Sequence, residues 1–472
     1  MRLPNHIEKR LRGLRVKLIN SCILCVFLVL MVFALSCTRS VKEQPVPPPP
    51  PPSPPPKPRP EIRIKPDYGS IEFKIISIQR LDENAGTYNS YNPQFSSDGS
   101  FISVEVDLNN RKRIYIYRTN YNFEEKKLSF EKIKEVSLQS QTDEERKIEE
   151  LFQAAYLESY NYEFTWFPSD ELFIFTSNAG MGEYNLFLGS ISGENDFFKK
   201  IISVLPLTRF GEYYMLTRQM SKDGQARVSP EGKRIVFTSG RTGNGDLYMI
   251  NIETGKLKRL TFSEETDFFP RWSPDGKDIV YTTGGKFAHD IHVIRNAGTD
   301  EQKDEVLVKW LFDDVLPKYS PDGKYIAFYT TYNLERDPFN TKRWGIMVIP
   351  SDGSAPKAGK ELVSYFKIPN VIKDNNQGVG WLPDSRRILY AKSIESGYNP
   401  IYIFDVETGE EVLVETKTRI NHDIAVSSNG LVAFRAQVLG WDRIFIANTT
   451  YFQEYQRLLF EAKKKYGTEK SM

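Results

Sequence analysis

The sequence predicts an all-β protein: a seven-bladed β-propeller of four-stranded antiparallel blades, closed by an N-terminal strand and followed by a C-terminal helix, with six or eight blades as the neighbouring counts. Three observations predict it. A five-residue turn motif recurs seven times, and a short apolar strand follows each copy. The stretch after the last copy lacks one strand, while the stretch before the first has one to spare.

The motif is an aromatic residue or Val followed by Ser-Pro-Asp-Gly. Its clearest copies begin at Trp272 and Tyr319, with Val228-Ser-Pro-Glu-Gly close behind; Phe95, Trp166, Trp381 and Val426 open weaker ones. First residues step by 71, 62, 44, 47, 62 and 45. The shorter steps fit the roughly 40–50 residues of a four-stranded blade, and the longer ones require insertions near 120–160, 190–224 and 350–378. Ser-Pro-Asp-Gly suits a type I turn, because Pro presets φ at the second position and Gly accepts the fourth. The repeated acids Asp98, Asp275, Asp322 and Asp384 are therefore expected to tie backbone amides and to be structural.

Behind the turns come Ile235-Val-Phe, Ile279-Val-Tyr, Ile326-Ala-Phe, Ile388-Leu-Tyr and Leu431-Val-Ala-Phe, apolar on both faces as strands sandwiched between blades must be. Third strands follow at Asp246–Ile250, Asp290–Ile294, Ile401–Phe404 and Arg443–Ile446, and Glu253-Thr-Gly leads into an outer strand at Leu257–Thr261. The spare strand, Ile71 to Leu81, is expected to complete the last blade and remove two free edges. Thr142-Asp-Glu-Glu and Thr450-Tyr-Phe-Gln each open a helix with an apolar stripe, and both are expected to pack on the outside of the ring; the second also suits docking of a partner.

Together, x-Trp-Ser-Pro-Asp-Gly-x-x-Ile-x-aromatic resembles the WD-repeat-like propeller repeat of the TolB family and of many bacterial envelope proteins, over roughly residues 70–448. The resemblance implies a propeller in an extracytoplasmic setting. It departs from that family in what precedes the ring: a small α/β domain ahead of six blades there, a leader, a rod and one strand here.

That leader begins with Arg2, Lys9, Arg10, Arg12, Arg15 and Lys17, followed by 14 apolar residues from Cys22 to Leu35. The pattern fits an export signal and is short for a bilayer span. Ala34-Leu-Ser-Cys37 resembles a lipoprotein signal, which implies lipidation at Cys37; an uncleaved anchor over residues 18–36 is the alternative. Thr38, lacking the Asp of inner-membrane retention, tilts the expected location to the outer membrane. No cysteine lies beyond Cys37, so the body has neither disulfide nor thiolate metal site. Residues 45–60 hold twelve prolines, which predicts a polyproline II spacer of about 50 Å. The expected division is signal 1–36, anchor and linker 37–69, propeller 70–448 and helix 449–472.

Net charge is +2, but residues 1–36 carry six basic residues and one acid, leaving 57 basic and 60 acidic residues in the rest. A slightly acidic body gives no electrostatic case for nucleic-acid binding. Gly189-Ser-Ile-Ser-Gly has Ile191 where a nucleophile elbow needs Ser, and about 24 residues after the ring cannot hold a hydrolase domain. Gly240-Arg-Thr-Gly-Asn-Gly lacks the Lys and helix of a phosphate loop. His289 and His292, three apart on a strand, fall on opposite faces, so neither metal nor cofactor is expected.

What remains is a ring face. Loops entering the inner strands and joining second to third strands should gather Arg227, Arg241, Asp267, Arg271, Asp313, Lys318, Gln377, His422, Asp423 and Trp441 around one channel mouth, with Lys286, Asp314, Arg336, Asn376, Tyr332 and Phe339 nearby. Mixed charge with aromatics suits protein or glycan recognition. The expected protein is a monomeric, membrane-anchored, non-catalytic binding scaffold of the bacterial envelope. The competing expectation is a glycan- or peptide-processing enzyme using carboxylates such as Asp267 and Asp423.

Overall fold

The computed structural model describes residues 64–467 apart from 65, 83–85, 87, 109–110, 137, 139–159, 180–182, 194–195, 206, 211, 218–219, 285–287, 333–343, 374–376 and 395–396. The leader, Cys37, the proline rod, the helix expected from Thr142, and Lys286, Arg336, Phe339 and Asn376 lie outside the described residues. Among the described residues no helix is long and apolar enough to cross a membrane.

Strands form seven antiparallel sheets over residues 89–136, 161–215, 223–259, 266–308, 314–371, 380–414 and 421–449. Each is a four-stranded meander, except that the second carries a fifth strand. The N-terminal strand Ile75–Arg80 supplies the outer strand of the seventh sheet, pairing antiparallel with Trp441–Thr449. Expected insertions take concrete form: long third and fourth strands in the first blade (Arg111–Asn122, Lys127–Val136), a helix at Asp196–Val204 in the second, and a 3-10 turn at Leu362–Tyr365 in the fifth. Packing between sheets makes the middle strands apolar throughout; Leu172–Ser177 is buried at all six positions. Each Phe or Tyr so buried stabilises by about 1.5–3 kcal/mol.

Every inner strand begins at one face of the ring, the loop face, and ends at the motif on the other, the turn face. In all seven turns an amide closes onto the carbonyl three residues back, as in Gly276 N to Ser273 O at 2.9 Å. The turn's last residue is left-handed throughout, from φ +58° at Asp170 to +91° at Gly430, which explains the glycines. The Asp ties the turn as expected: Asp275 accepts from Ser273 Oγ at 2.6 Å and Asp322 from Ser320 Oγ at 2.6 Å. The motif's Trp has a second task. The indoles of Trp166, Trp272 and Trp381 donate to the carbonyls of Gln94, Arg227 and Lys318 on the preceding blade, at 3.2, 3.0 and 3.3 Å.

The C-terminal helix, Thr450–Gly467, packs on the turn face, where the sequence points to the outer wall. Tyr451 stands 4.5 Å from Tyr68 and edge-on to Phe73, and Phe452 packs edge-on to Tyr121. Its cap is one residue earlier than expected: Thr449 Oγ1 accepts from Phe452 N at 3.2 Å. Thr450 instead ties the entering chain, donating to Glu72 O and accepting from Lys74 N. Residues 67–74 thus join the ring on its turn face.

Candidate functional site

Three residues before each motif the inner strand turns left-handed: Asn92, Glu163, Gln225, Phe269, Leu316, Gly378 and Asp423 have φ between +46° and +70°. Six of these are not glycine, and each costs about 1–3 kcal/mol. Bonds across the blade seams compensate. Glu105 Oε1 accepts from Glu163 N at 2.9 Å, Glu163 Oε2 from Gln225 N at 2.7 Å, Gln225 Oε1 from Phe269 N at 2.8 Å, and Thr282 Oγ1 from Leu316 N at 3.3 Å. This belt runs around the channel from the first blade to the fifth.

The belt contains the channel's charge. Burial pushes the Glu105 carboxyl up to about 7, against bonds from Glu163 N and Asn92 and the attraction of Lys112. Burial also raises Glu163, with Arg227 opposing. Arg227, desolvated between them and the turn face, falls to about 10. A carboxyl titrating near neutrality has the range of a general acid or base, but both Glu105 oxygens are engaged, Oε2 by Asn92 Nδ2 at 3.0 Å.

Predicted site residues divide between the two faces. Arg241, Asp267, Asp313, Gln377, His422, Asp423 and Trp441 stand at the loop-face end. Arg227, Arg271 and Lys318 do not. Each sits inside an inner strand one residue before the motif, hence near the opposite mouth.

On the loop face most charges are spoken for. Asp267 is fully buried, accepting from Thr283 Oγ1 and from Ser263 Oγ at 3.3 Å. The same register carries Asp223, paired with Arg241 at 3.2 Å, and Asp314, bonded by the Trp310 indole at 2.6 Å. Burial raises all three carboxyls. Asp423 meets Arg435 at 2.7 Å, and Arg435 reaches Asp442 at 3.0 Å. Burial and then Arg435 hold the His422 imidazole below its usual range. His289 contacts Asp313 at 2.7 Å, while His292 faces Asp304 at 3.5 Å. Among the described residues no three His, Cys, Asp or Glu side chains cluster as metal ligands.

The distinctive feature of the loop face is apolar. Its loop tips expose Met220 (77%), Phe262 (72%), Leu311 (85%) and Leu439 (95%), the four most exposed large apolar side chains among the described residues. Half-exposed Ile394 and Trp441 stand on the same face. At the other mouth lies a cavity of about 340 Å³, lined by the ends of the first four inner strands and by the turns of the first three.

Residues 200–343 match the family model of the TolB beta propeller domain. The chain carries a TolB-like propeller. No curated protein matches it in sequence. Among solved structures, an oligogalacturonate lyase from Vibrio parahaemolyticus is similar at 12% identity and a TM-score of 0.51, over 80% of this chain and 96% of that one. A putative TolB from Agrobacterium tumefaciens is similar at 17% identity and a TM-score of 0.38, over 58% and 84%. TolB from Acinetobacter baumannii gives 12% and 0.40 over 72% of this chain and 66% of that one. At these identities the likeness is one of fold. Within the TolB-like ring, sequence reasoning missed Glu105, Glu163 and the exposed tips. The available signal for the belt was a polar residue recurring three before the motif, as in Asn92, Glu163, Gln225 and Asp423.

Proposed function

We propose that this TolB-like propeller is a non-catalytic binding scaffold of the bacterial envelope that docks a partner protein through its loop face. The observation that carries the reading is that the four most exposed large apolar side chains among the described residues, Met220, Phe262, Leu311 and Leu439, all stand at loop tips of one face. Large exposed apolar side chains collected on one surface mark protein contacts, and aromatic, Met and Arg side chains are the common anchors of such contacts. Charge there is already neutralised locally, as in Arg241–Asp223 and Arg435–Asp423, so docking does not leave those ions unpaired. The leader, Cys37 and the proline rod supply the tether in this reading. Residues 67–74 join the ring on its turn face, opposite the loop face.

A photo-crosslinking amino acid placed at 311 or 439 in the full chain, in intact cells, tests it. Adducts of one discrete mass at both positions, absent when the same group is placed at outer-strand Leu257 or Leu413, are expected. Equal adducts at all four positions, or none at 311 and 439, would overturn it.

A further inference from the structure

We propose that the sector of the loop face between the tips Phe262 and Leu311 receives a partner segment in which a lysine or arginine adjoins apolar side chains. The inference rests on the loop-face docking reading and names the chemistry of what docks. Phe262 and Leu311 stand on equivalent linkers of neighbouring blades. One leads from the outermost strand Leu257–Arg259 into the inner strand Thr266–Trp272, the other from Lys303–Val308 into Asp314–Tyr319. Trp310 and Phe312, the residues on either side of Leu311, belong to an aromatic cluster. Trp310 and Tyr332 stack at 5.1 Å, and Phe312 meets them edge-on at 4.9 and 5.1 Å. All three rings are half-buried, so the tip is carried by a packed base that still has ring surface to offer. Rigid aromatic and apolar groups of this kind make the anchors of protein contacts at little entropic cost.

Charge selects among apolar partners. Glu264 and Glu265 lie between Phe262 and the inner strand that follows, and Asp313 lies between Leu311 and the next one. Neither glutamate has an ion-pair partner among the described residues. Asp313 Oδ1 accepts from His289 N at 3.2 Å and meets its Nδ1 at 2.7 Å. Beneath them Asp290 and Asp314 are buried, and each leaves its Oδ1 without a donor. Arg259 is spent on Asp246 at 3.0 Å. Lys309, 3.7 Å from Asp290, stands at the end of the outermost strand, its N–H bonded to the Lys357 carbonyl at 2.8 Å. The two lysines are thus on the outer rim, and the acids, which outnumber them, are on the channel side of the tips. A partner lysine can lay its stem along Leu311 or Phe262 and reach those carboxylates with its ammonium; an arginine can also stack on the rings. The other two tips have a different setting: Lys222 follows Met220 closely, and Arg443 stands over the ring of Trp441, near Leu439, at 5.8 Å. Complementary charge at a rim fixes register and excludes wrong partners, so a basic segment is directed to the Phe262–Leu311 sector and an acidic one is turned away.

The test reads the crosslinks formed from position 311 of the full chain in intact cells. Mass spectrometry of the adduct should find a lysine or arginine adjacent to the crosslinked partner residue or one turn of chain away. Glu264→Lys combined with Glu265→Lys should lower the adduct yield at least about fivefold. The same reversal at two adjacent glutamates of the turn face, Glu124→Lys with Glu125→Lys, should leave it unchanged. Unfolding midpoints show that the variants fold; Glu264→Gln with Glu265→Gln, expected to lower the yield at least about twofold, serves if the lysine pair misfolds. Parental yield in the folded variants, an equal loss in the turn-face control, or a crosslinked segment that is acidic or lacks a base would each overturn the inference and leave docking intact. Adducts at 439 with none at 311 in the parent chain would do the same, and none at either position would overturn both.

Discussion

On the turn face, neighbouring blades are fastened turn to turn; on the loop face they are fastened through the loops that lead from one blade into the next. Ser428 Oγ donates to the Ser97 carbonyl and Asn429 Nδ2 to the Asp98 carbonyl at 2.8 Å, while Ser97 N and Oγ both donate to Asp170 Oδ1, at 2.6 and 2.8 Å. The turns of the seventh, first and second blades are thus a continuous chain. Farther round, Arg234 Nη2 reaches the Gly276 carbonyl at 2.8 Å. Loops on the other face bond to the segment entering the next blade: Asn244 Nδ2 donates to the Ser263 and Glu265 carbonyls, Asp267 N to the Gly245 carbonyl at 2.7 Å, and His289 N to Asp313 Oδ1 at 3.2 Å. Short turns of near-constant sequence leave one face little freedom to vary, and the longer loops opposite leave more.

Three changes would break or sharpen this contrast. Gly430→Val strikes the turn face where it is tightest. At φ +91° a Cβ would lie 2.5 Å from Tyr451 Cβ and 2.8 Å from Phe452 N, so the C-terminal helix must lift. A loss of more than about 3 kcal/mol in denaturant unfolding is expected, and a near-neutral result would show the helix is not held by the turn.

Glu105→Gln acts between the faces. Because burial pushes this carboxyl up from 4.5 to about 7, the folded state binds its proton more tightly than the unfolded chain does. Ionisation therefore costs nothing below about pH 4.5, costs more as pH rises, and costs its full amount above about 7. The variant should be more stable than the parent at pH 8, by up to about 3 kcal/mol, and nearly equal at pH 5. Equal midpoints at both pH values would mean the charge is already fully compensated. The smallest effect belongs to the loop face: Leu311→Ser with Leu439→Ser should shift stability by less than about 0.5 kcal/mol while removing crosslinking at that face. A large drop in the melting midpoint would mean that those tips are part of the fold.

The architecture was legible because its rule is local. Ser-Pro-Asp-Gly sets its own turn, and the strand deficit after Val426 matched the surplus before Phe95. The site was less so. Arg227, Arg271 and Lys318 precede the motif in sequence and so seemed to belong to entering loops. An inner strand of six or seven residues crosses the whole ring, however, and carries its last residues to the far mouth. Glu105, in Val104-Glu-Val106, has the alternation of any strand with one polar face; only closure of the ring turns that face inward. Asp267 and Asp423 looked available for chemistry because spacing does not reveal that Thr283 and Arg435 hold them. Exposure of Leu311 and Leu439 depends on what covers them, which no local pattern encodes.

Ring closure through Ile75–Arg80 has a consequence for the order of assembly. That strand is among the first folded residues to emerge during synthesis, yet its partner Trp441–Thr449 is made nearly last. Until then the early blades stand as an open arc with two bare β-edges, the condition in which sheets recruit wrong neighbours. Completion therefore waits on the final fraction of translation, and a chain cut short before residue 441 would keep every earlier blade and still have no lock.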